Sequence, residues 1–254
     1  MQVQYTLDGL LAHRAQQRQS GNFVTLAQED RRSKKTSMIL EWSPRLQHHV
    51  ALMSELEWAH WIIVESDWRC KFYECQLGYL QVFVDGKSVG SIPDMYLEMI
   101  DGSRVLREIK PKELAEDPEN EKVRRQLAAQ RAAAVMLGLR HEVWTEAEIF
   151  ANAMLVGNWR RILPYLKGER SGRMAELMGD VHLYLKRVEA ASLLEIESVF
   201  EKQRIDCRTA VLWLLHQGRL AADVDKRAFG LKTRFRLLTA EEQAATVVKE
   251  GVHG

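Results

Sequence analysis

The stretch from Ile92 to Trp144 constrains the fold of this chain more than any other. Two strand-like runs, Ile92 to Ile100 and Arg104 to Lys110, are separated by Asp101-Gly102, a dipeptide suited to a tight hairpin turn. In the second run Val105 and Ile109 alternate with charged residues, although Leu106 interrupts strict alternation. Pro111 has no amide hydrogen to give to a sheet ladder, so the strand ends there. Asp117-Pro118-Glu119 then opens a helix that runs through Ala128, Ala129 and Ala132-Ala133-Ala134 to Leu137, with Gly138 as its cap. His141 to Trp144 reads as a further strand. Strand, crossover helix and strand together imply one parallel pairing beside an antiparallel hairpin, and therefore a mixed α/β sheet.

Upstream, Leu52, Leu56, Ala59 and Ile63 recur at helical spacing and predict a helix from Ala51 to Ser66. Tyr79 to Val84 is strand-like and Asp85-Gly86 is a turn signal. The expected order is thus helix, three antiparallel strands, helix, strand, with helical pattern again from Glu146 to Asn152. Before Thr36 the chain is polar and carries Arg31-Arg32-Ser33-Lys34-Lys35, a solvated loop or a phosphate contact. Trp58, Trp61 and Trp68 read as packing residues. Gly157-Asn158 and Pro164 to Gly172 are rich in helix breakers and charge, which places a domain boundary between 1–165 and 166–254. Beyond it, helices are expected from Arg173 to Val188, from Ser192 to Phe200, and from an Asp206 cap to Gln217, where Gly218 stops the third. Arg219 to Val224 and Thr233 to Leu238 are strand candidates around a loop holding Lys226, Arg227 and Gly230. Three helices followed by a hairpin is the order of a winged helix.

At 254 residues, 46% hydrophobic and 28% charged, the chain can bury an ordinary globular core. It has no run of about eighteen apolar residues that would span a membrane, and no secretory signal pattern. Cys70, Cys75 and Cys207 are odd in number and fit no zinc spacing, so a reducing, cytoplasmic setting is expected. The net charge of +1 points to no partner by itself. From Lys202 to Arg236, however, nine Lys or Arg stand against three acids. Phosphate neutralisation drives nucleic-acid affinity, so Arg208, Lys226, Arg227, Lys232 and Arg234 are expected to contact double-stranded DNA. Arg208 would lead a helix starting near Cys207 into or near the major groove, with Lys226 and Arg227 in the wing. A solvated charged face that meets a partner protein is the alternative.

The chemistry is expected at Ile92-Pro93-Asp94 and Arg107-Glu108-Ile109-Lys110. A phosphodiester repels nucleophiles by its charge. Two carboxylates on neighbouring strands can hold one or two Mg²⁺ ions, which polarise the phosphate and activate water. Glu108 and Lys110 are two apart on one strand and share a face, and the Asp101-Gly102 turn returns Asp94 beside Glu108. Lys110 could then orient or deprotonate the water, or neutralise charge in the transition state. As a bare string the motif is common, and an exposed ion pair would also produce it. The order of elements around it favours a site. Glu55 is two residues from Glu57, about 200° around a helix, so only one of them can face that site. Adjacent His48 and His49 are expected in a loop, and with His60 they are not needed by a carboxylate centre.

These residues match the PD-(D/E)xK nuclease pattern, and within it the chain resembles the TnsA endonuclease subunits of heteromeric transposases. The resemblance runs through His48-His49, Ser54-Glu55-Leu56-Glu57, Pro93-Asp94, Glu108-Ile109-Lys110-Pro111 and Val143-Trp144-Thr145-Glu146. It covers roughly the first 150 residues in order and spacing. It implies a restriction-endonuclease-like core, a mixed sheet flanked by helices, with a winged-helix-like domain behind it. It further implies that Glu57, Asp94 and Glu108 bind metal, Mg²⁺ with Mn²⁺ able to substitute, and that Lys110 is the catalytic lysine. The implied activity is cleavage at the 5′ ends of a transposon. The implied partners are a TnsB-like transposase subunit and a TnsC-like ATPase regulator. A stand-alone restriction or repair nuclease of the same fold would use the same residues. A non-catalytic winged-helix assembly protein would use the core only as structure.

Overall fold

The computed structural model describes residues 6–19, 38–84, 86–167 and 172–248. The basic run at 31–35 lies outside them. The chain divides into two compact units, neither of them continuous. The first takes the described residues up to Glu41, then His49–Trp61 and Cys70–Ala151. The second takes Trp42–His48, Ile62–Arg69 and the described residues from Asn152 onward.

In the first unit, helix α1 (Leu7–Gln19) precedes the paired strands β1 (Ile39–Ser43) and β2 (His48–Leu52), and then helix α2 (Glu55–Ser66). Both paired strands and α2 run on into the second unit. Next come β3 (Cys70–Cys75), the hairpin of β4 (Leu80–Val84) and β5 (Lys87–Ser91), β6 (Met95–Met99) and β7 (Arg104–Ile109). Helix α3 (Glu121–Leu137) and strand β8 (Arg140–Trp144) complete the unit's main elements. The principal sheet runs β3-β6-β7-β8, antiparallel at the first two pairings and parallel at the last. The expected α/β architecture, a mixed sheet flanked by helices, is present.

Its membership differs from expectation in one respect. Tyr79 to Val84 is not a strand of this sheet. It pairs with Lys87–Ser91 as a separate hairpin, and the neighbour of β6 is β3. In β3 the consecutive residues Tyr73, Glu74 and Cys75 are all buried, so no period-two signal marks it. Two smaller departures share one cause: Ala51 and Leu52 end β2, so α2 starts at Glu55 and the His48-His49 pair lies in a strand, not a loop.

Alanines set the helix–sheet spacing. Ala129, Ala133 and Ala134 of α3 pack on Leu80, Val82, Tyr96 and Leu106, with Leu7 and Leu10 of α1 in the same cluster. Asn120 caps α3, its side chain accepting from the Val123 N–H at 3.2 Å, three residues beyond the expected start at Asp117. Gly138 ends the helix in the left-handed region, φ 68°.

In the second unit the elements are α4 (Ala153–Ile162), α5 (Gly172–Val188), β9 (Ala190–Ser192), α6 (Leu193–Val199), α7 (Arg204–His216), β10 (Leu220–Ala222), β11 (Arg234–Leu237) and α8 (Ala240–Val248). The three strands form one antiparallel sheet in the order β10-β11-β9. Ser192 opens α6 with a capping box to Glu195, as its position predicts. Asp206 is not a cap, because α7 begins at Arg204 after a turn at Glu201–Gln203. Nor is Gly157-Asn158 a break. Both lie inside α4, where buried Asn158 donates to the Val224 and Arg227 carbonyls and accepts from the Phe229 N–H. That one amide anchors the loop between β10 and β11. Among the described residues no helix is long and apolar enough to cross a membrane.

Candidate active site

Strand register brings the acidic residues together. Met95 pairs with Arg107 at the end of the β6–β7 ladder, Asp94 stands just before that pair and Glu108 just after it, and the Glu108 charge acts on the Asp94 carboxyl. Asp94 Oδ2 accepts the Ile109 N–H at 2.8 Å, which turns this carboxyl onto the end of β7. Lys110 follows that strand, its own N–H bonded to the Trp144 carbonyl at 3.0 Å, and its ammonium lies 2.6 Å from Glu108 Oε1.

Glu108 is fully buried and saturated by donors. Besides Lys110, Oε1 accepts from Gln126 Nε2 at 2.8 Å, and Oε2 accepts from Gln130 Nε2 at 2.7 Å. Gln130 also reaches Ser91 Oγ at 2.8 Å and His141 Nε2 at 3.2 Å. The two glutamines sit one helical turn apart on α3, a spacing that puts them on one face. Sequence reading passes them over, although an i, i+4 glutamine pair on an alanine-rich helix is a visible signal.

Charge crowding shows in the protonation equilibria. Burial, then the neighbouring Glu108 and Glu57 carboxylates, hold the Asp94 carboxyl well above the usual carboxylate range. Burial alone would depress the Lys110 ammonium, but Glu108 and Asp94 outweigh it and raise its pKa. Lys110 is therefore a cation at neutral pH.

Glu57 lies close enough to act on Asp94, yet its carboxylate already has local work. Oε2 accepts the Met53 N–H at 2.9 Å and Oε1 the Ser54 hydroxyl at 3.2 Å, while Ser54 Oγ accepts the Glu57 N–H. Ser54-Glu55-Leu56-Glu57 thus behaves as a capping motif of α2. Glu55 is exposed. Buried His60 lies 3.0 Å from Arg107 Nη1, edge-on to the Trp144 ring. Burial and the Arg107 charge hold it neutral.

Among the described residues no group of three or more His, Cys, Asp or Glu is arranged to hold a metal ion. The donor chemistry nevertheless suits a hard divalent cation: the Glu108 and Glu57 carboxylates both act on the Asp94 carboxyl and raise its proton affinity. Asp94 and Lys110 open on a cleft of about 770 Å³ whose rim also carries Lys122 and Arg125.

The basic residues of the second unit are dispersed. Arg208 is bonded to buried Glu197 at 2.6 Å and reaches the Tyr165 hydroxyl at 3.3 Å, and Arg204 shares the same Glu197. Lys226, Arg227, Lys232 and Arg234 are exposed. Lys226 and Arg234 line one groove of about 340 Å³ together with Arg236, whereas Arg208, Arg227 and Lys232 do not line it.

No protein-family model matches this sequence, and no curated protein matches it.

Proposed function

We propose that this chain is a metal-dependent DNA endonuclease that hydrolyses phosphodiester bonds at the 5′ ends of a mobile element. In this reading it is the TnsA-like subunit of a heteromeric transposase. One observation carries the nuclease part: Asp94, bonded to the Ile109 N–H, lies within the field of Glu108, with Lys110 bonded to Glu108, at the edge of a cation-rimmed cleft. Mg²⁺, with Mn²⁺ as substitute, would be held by Asp94 and Glu108 with Glu57 beside them, and would polarise the phosphate and activate water. Gln126 and Gln130 orient Glu108, the Ile109 N–H orients Asp94, and Lys110 offsets negative charge that develops at the phosphate.

The transposase part is supported by the order and spacing of the residues that resemble TnsA. The succession α5, β9, α6, α7, β10, β11, with sheet order β10-β11-β9, supports a winged helix in the second unit. Its exposed Lys226, Arg227, Lys232 and Arg234 would neutralise phosphates of double-stranded DNA. A TnsB-like transposase and a TnsC-like ATPase would be the protein partners.

One observation favours a non-catalytic assembly protein instead: both Glu108 oxygens and both Glu57 oxygens already have protein donors. Strand nicking on element-end DNA in Mg²⁺, with and without candidate partners, separates the readings. Asp94→Ala is expected to reduce nicking to background while the circular dichroism melt stays intact. Persistent nicking would remove Asp94 from the site, and no nicking under any partner condition would favour the assembly protein.

A further inference from the structure

The cleft beside Asp94 stops short of Glu108. Its wall carries Asp94, Lys110 and Gln126, and Glu108 is not part of it. Two of those wall residues bond the same Glu108 oxygen: Lys110 Nζ lies 2.6 Å from Oε1 and Gln126 Nε2 lies 2.8 Å from it. The other oxygen, Oε2, is held by Gln130, which is buried and likewise absent from the wall. The Glu108 side chain is 1% exposed and that of Lys110 21%. Approached from the cleft, an ammonium and an amide therefore stand in front of the carboxylate.

A divalent cation shared by Asp94 and Glu108 must take Oε1 from one of these two donors. They are not equally movable. Gln126 projects from α3, whose Ala129, Ala133 and Ala134 are fixed in the core. Lys110 stands just past the end of β7, at the cleft, on a flexible four-carbon stem.

Charge points the same way. Glu108 and Asp94 both act on the Lys110 ammonium, so it already supplies positive charge to these carboxylates. A metal arriving at Oε1 meets that like charge at hydrogen-bond range. Exchanging one cation for the other keeps buried Glu108 compensated, whereas a buried carboxylate left with neither is strongly disfavoured.

We propose that Lys110 is a tethered counter-cation seated in the metal's place on Glu108, and that metal binding displaces its ammonium into the cleft. This rests on the metal reading proposed above and adds an order of events to it. Metal comes first and phosphate second, because the ammonium is free to meet a phosphate only after Glu108 has released it. The same exchange accounts for Glu108 having a full set of protein donors.

The test measures metal binding by the full chain without DNA, so that it does not depend on cleavage. Mn²⁺ titrations are followed by electron paramagnetic resonance. A hydrogen bond between charged groups at this depth opposes the metal, so Lys110→Met is expected to bind Mn²⁺ about ten- to hundredfold more tightly than wild type. Lys122→Met removes a cation of the same cleft that does not touch Glu108, and should change affinity by less than about fivefold. In wild type, the ammonium held on Glu108 should give a slowly exchanging nitrogen-15 signal, assigned by its absence in Lys110→Arg, that Mg²⁺ removes.

Unchanged Mn²⁺ affinity in Lys110→Met, equal gains in Lys110→Met and Lys122→Met, or an ammonium signal that stays protected at saturating Mg²⁺ would each overturn the proposal. Should Lys110→Met fail to fold, the wild-type spectrum decides alone. Metal binding that needs Asp94 but ignores Lys110 would sink this inference and leave the metal reading standing. Metal binding undiminished in Asp94→Ala would remove both.

Discussion

Lys110 shows how surroundings choose among the roles open to one side chain. An isolated lysine in a cleft loses protons more readily as it is buried. Here Glu108 and Asp94 reverse that tendency and keep the ammonium charged, so in the proposed site its contribution would be electrostatic. Lys110→Met is expected to lower the nicking rate by about 10²–10³-fold, and Lys110→Arg to retain part of it, since arginine keeps the charge but not the shape. Single-turnover nicking kinetics measure both. Equal loss in the two variants would mean that charge alone is not what the position supplies. Lys110→Met also strands buried Glu108, so a lower melting temperature should accompany the lost rate.

At the scale of elements, α3 does two jobs with two adjoining faces. Its alanines let the helix lie close to Leu80, Val82 and Leu106, and that closeness lets Gln126 and Gln130 reach Glu108 from the same helix. Ala133 is fully buried. Ala133→Leu should therefore overpack the interface and cost about 1–3 kcal/mol, measurable as a shifted urea midpoint. It should also lower nicking in the molecules that remain folded, because the glutamines retreat with the helix. A destabilised variant with undiminished turnover would show that helix position does not govern the site.

At the scale of the molecule, the second unit is drawn together from distant segments by a buried polar network. Glu65 accepts from Ser43 Oγ at 2.5 Å and pairs with His216 Nε2 at 2.9 Å, while Arg45 donates to the Glu65 and Asp67 carbonyls. Burial would raise the Glu65 carboxyl, but His216 first, then Arg45 and Ser43, hold it below its ordinary value of 4.5. The native state thus binds the proton less readily than the unfolded chain does. The stability this adds is complete above about pH 4.5 and is lost as the pH falls through that value toward the lowered native one. Urea unfolding across the acid range should show wild-type stability dropping more steeply than that of Glu65→Gln; parallel curves would exclude the carboxylate as the cause. In the proposed reading, charge on the same unit governs DNA association. Reversing Lys226 and Arg227 to Glu should weaken binding and flatten its dependence on salt, because fewer phosphates are then neutralised and fewer counterions released. An unchanged salt slope would place the DNA-binding surface elsewhere.

Local signals carried the hairpin at Asp101-Gly102, the strand at Arg104–Ile109, the helix ended by Gly138 and the parallel partner at Arg140–Trp144, because each depends on neighbours within a few residues. The closeness of Asp94 to Glu108 followed from the same turn, since two strands joined tightly have little freedom of register. Long-range partners settled the rest. Cys70–Cys75 is a strand because β6 lies beside it, and Asn158 is a loop anchor because Val224, Arg227 and Phe229 converge on it. Glu57 doubles as a cap, Gln130 reaches Glu108, and Gln76 is left with an unanswered carbonyl. Periodicity records which face of an element is apolar, whereas a hydrogen bond between residues far apart in the chain exists only once the fold has closed the distance.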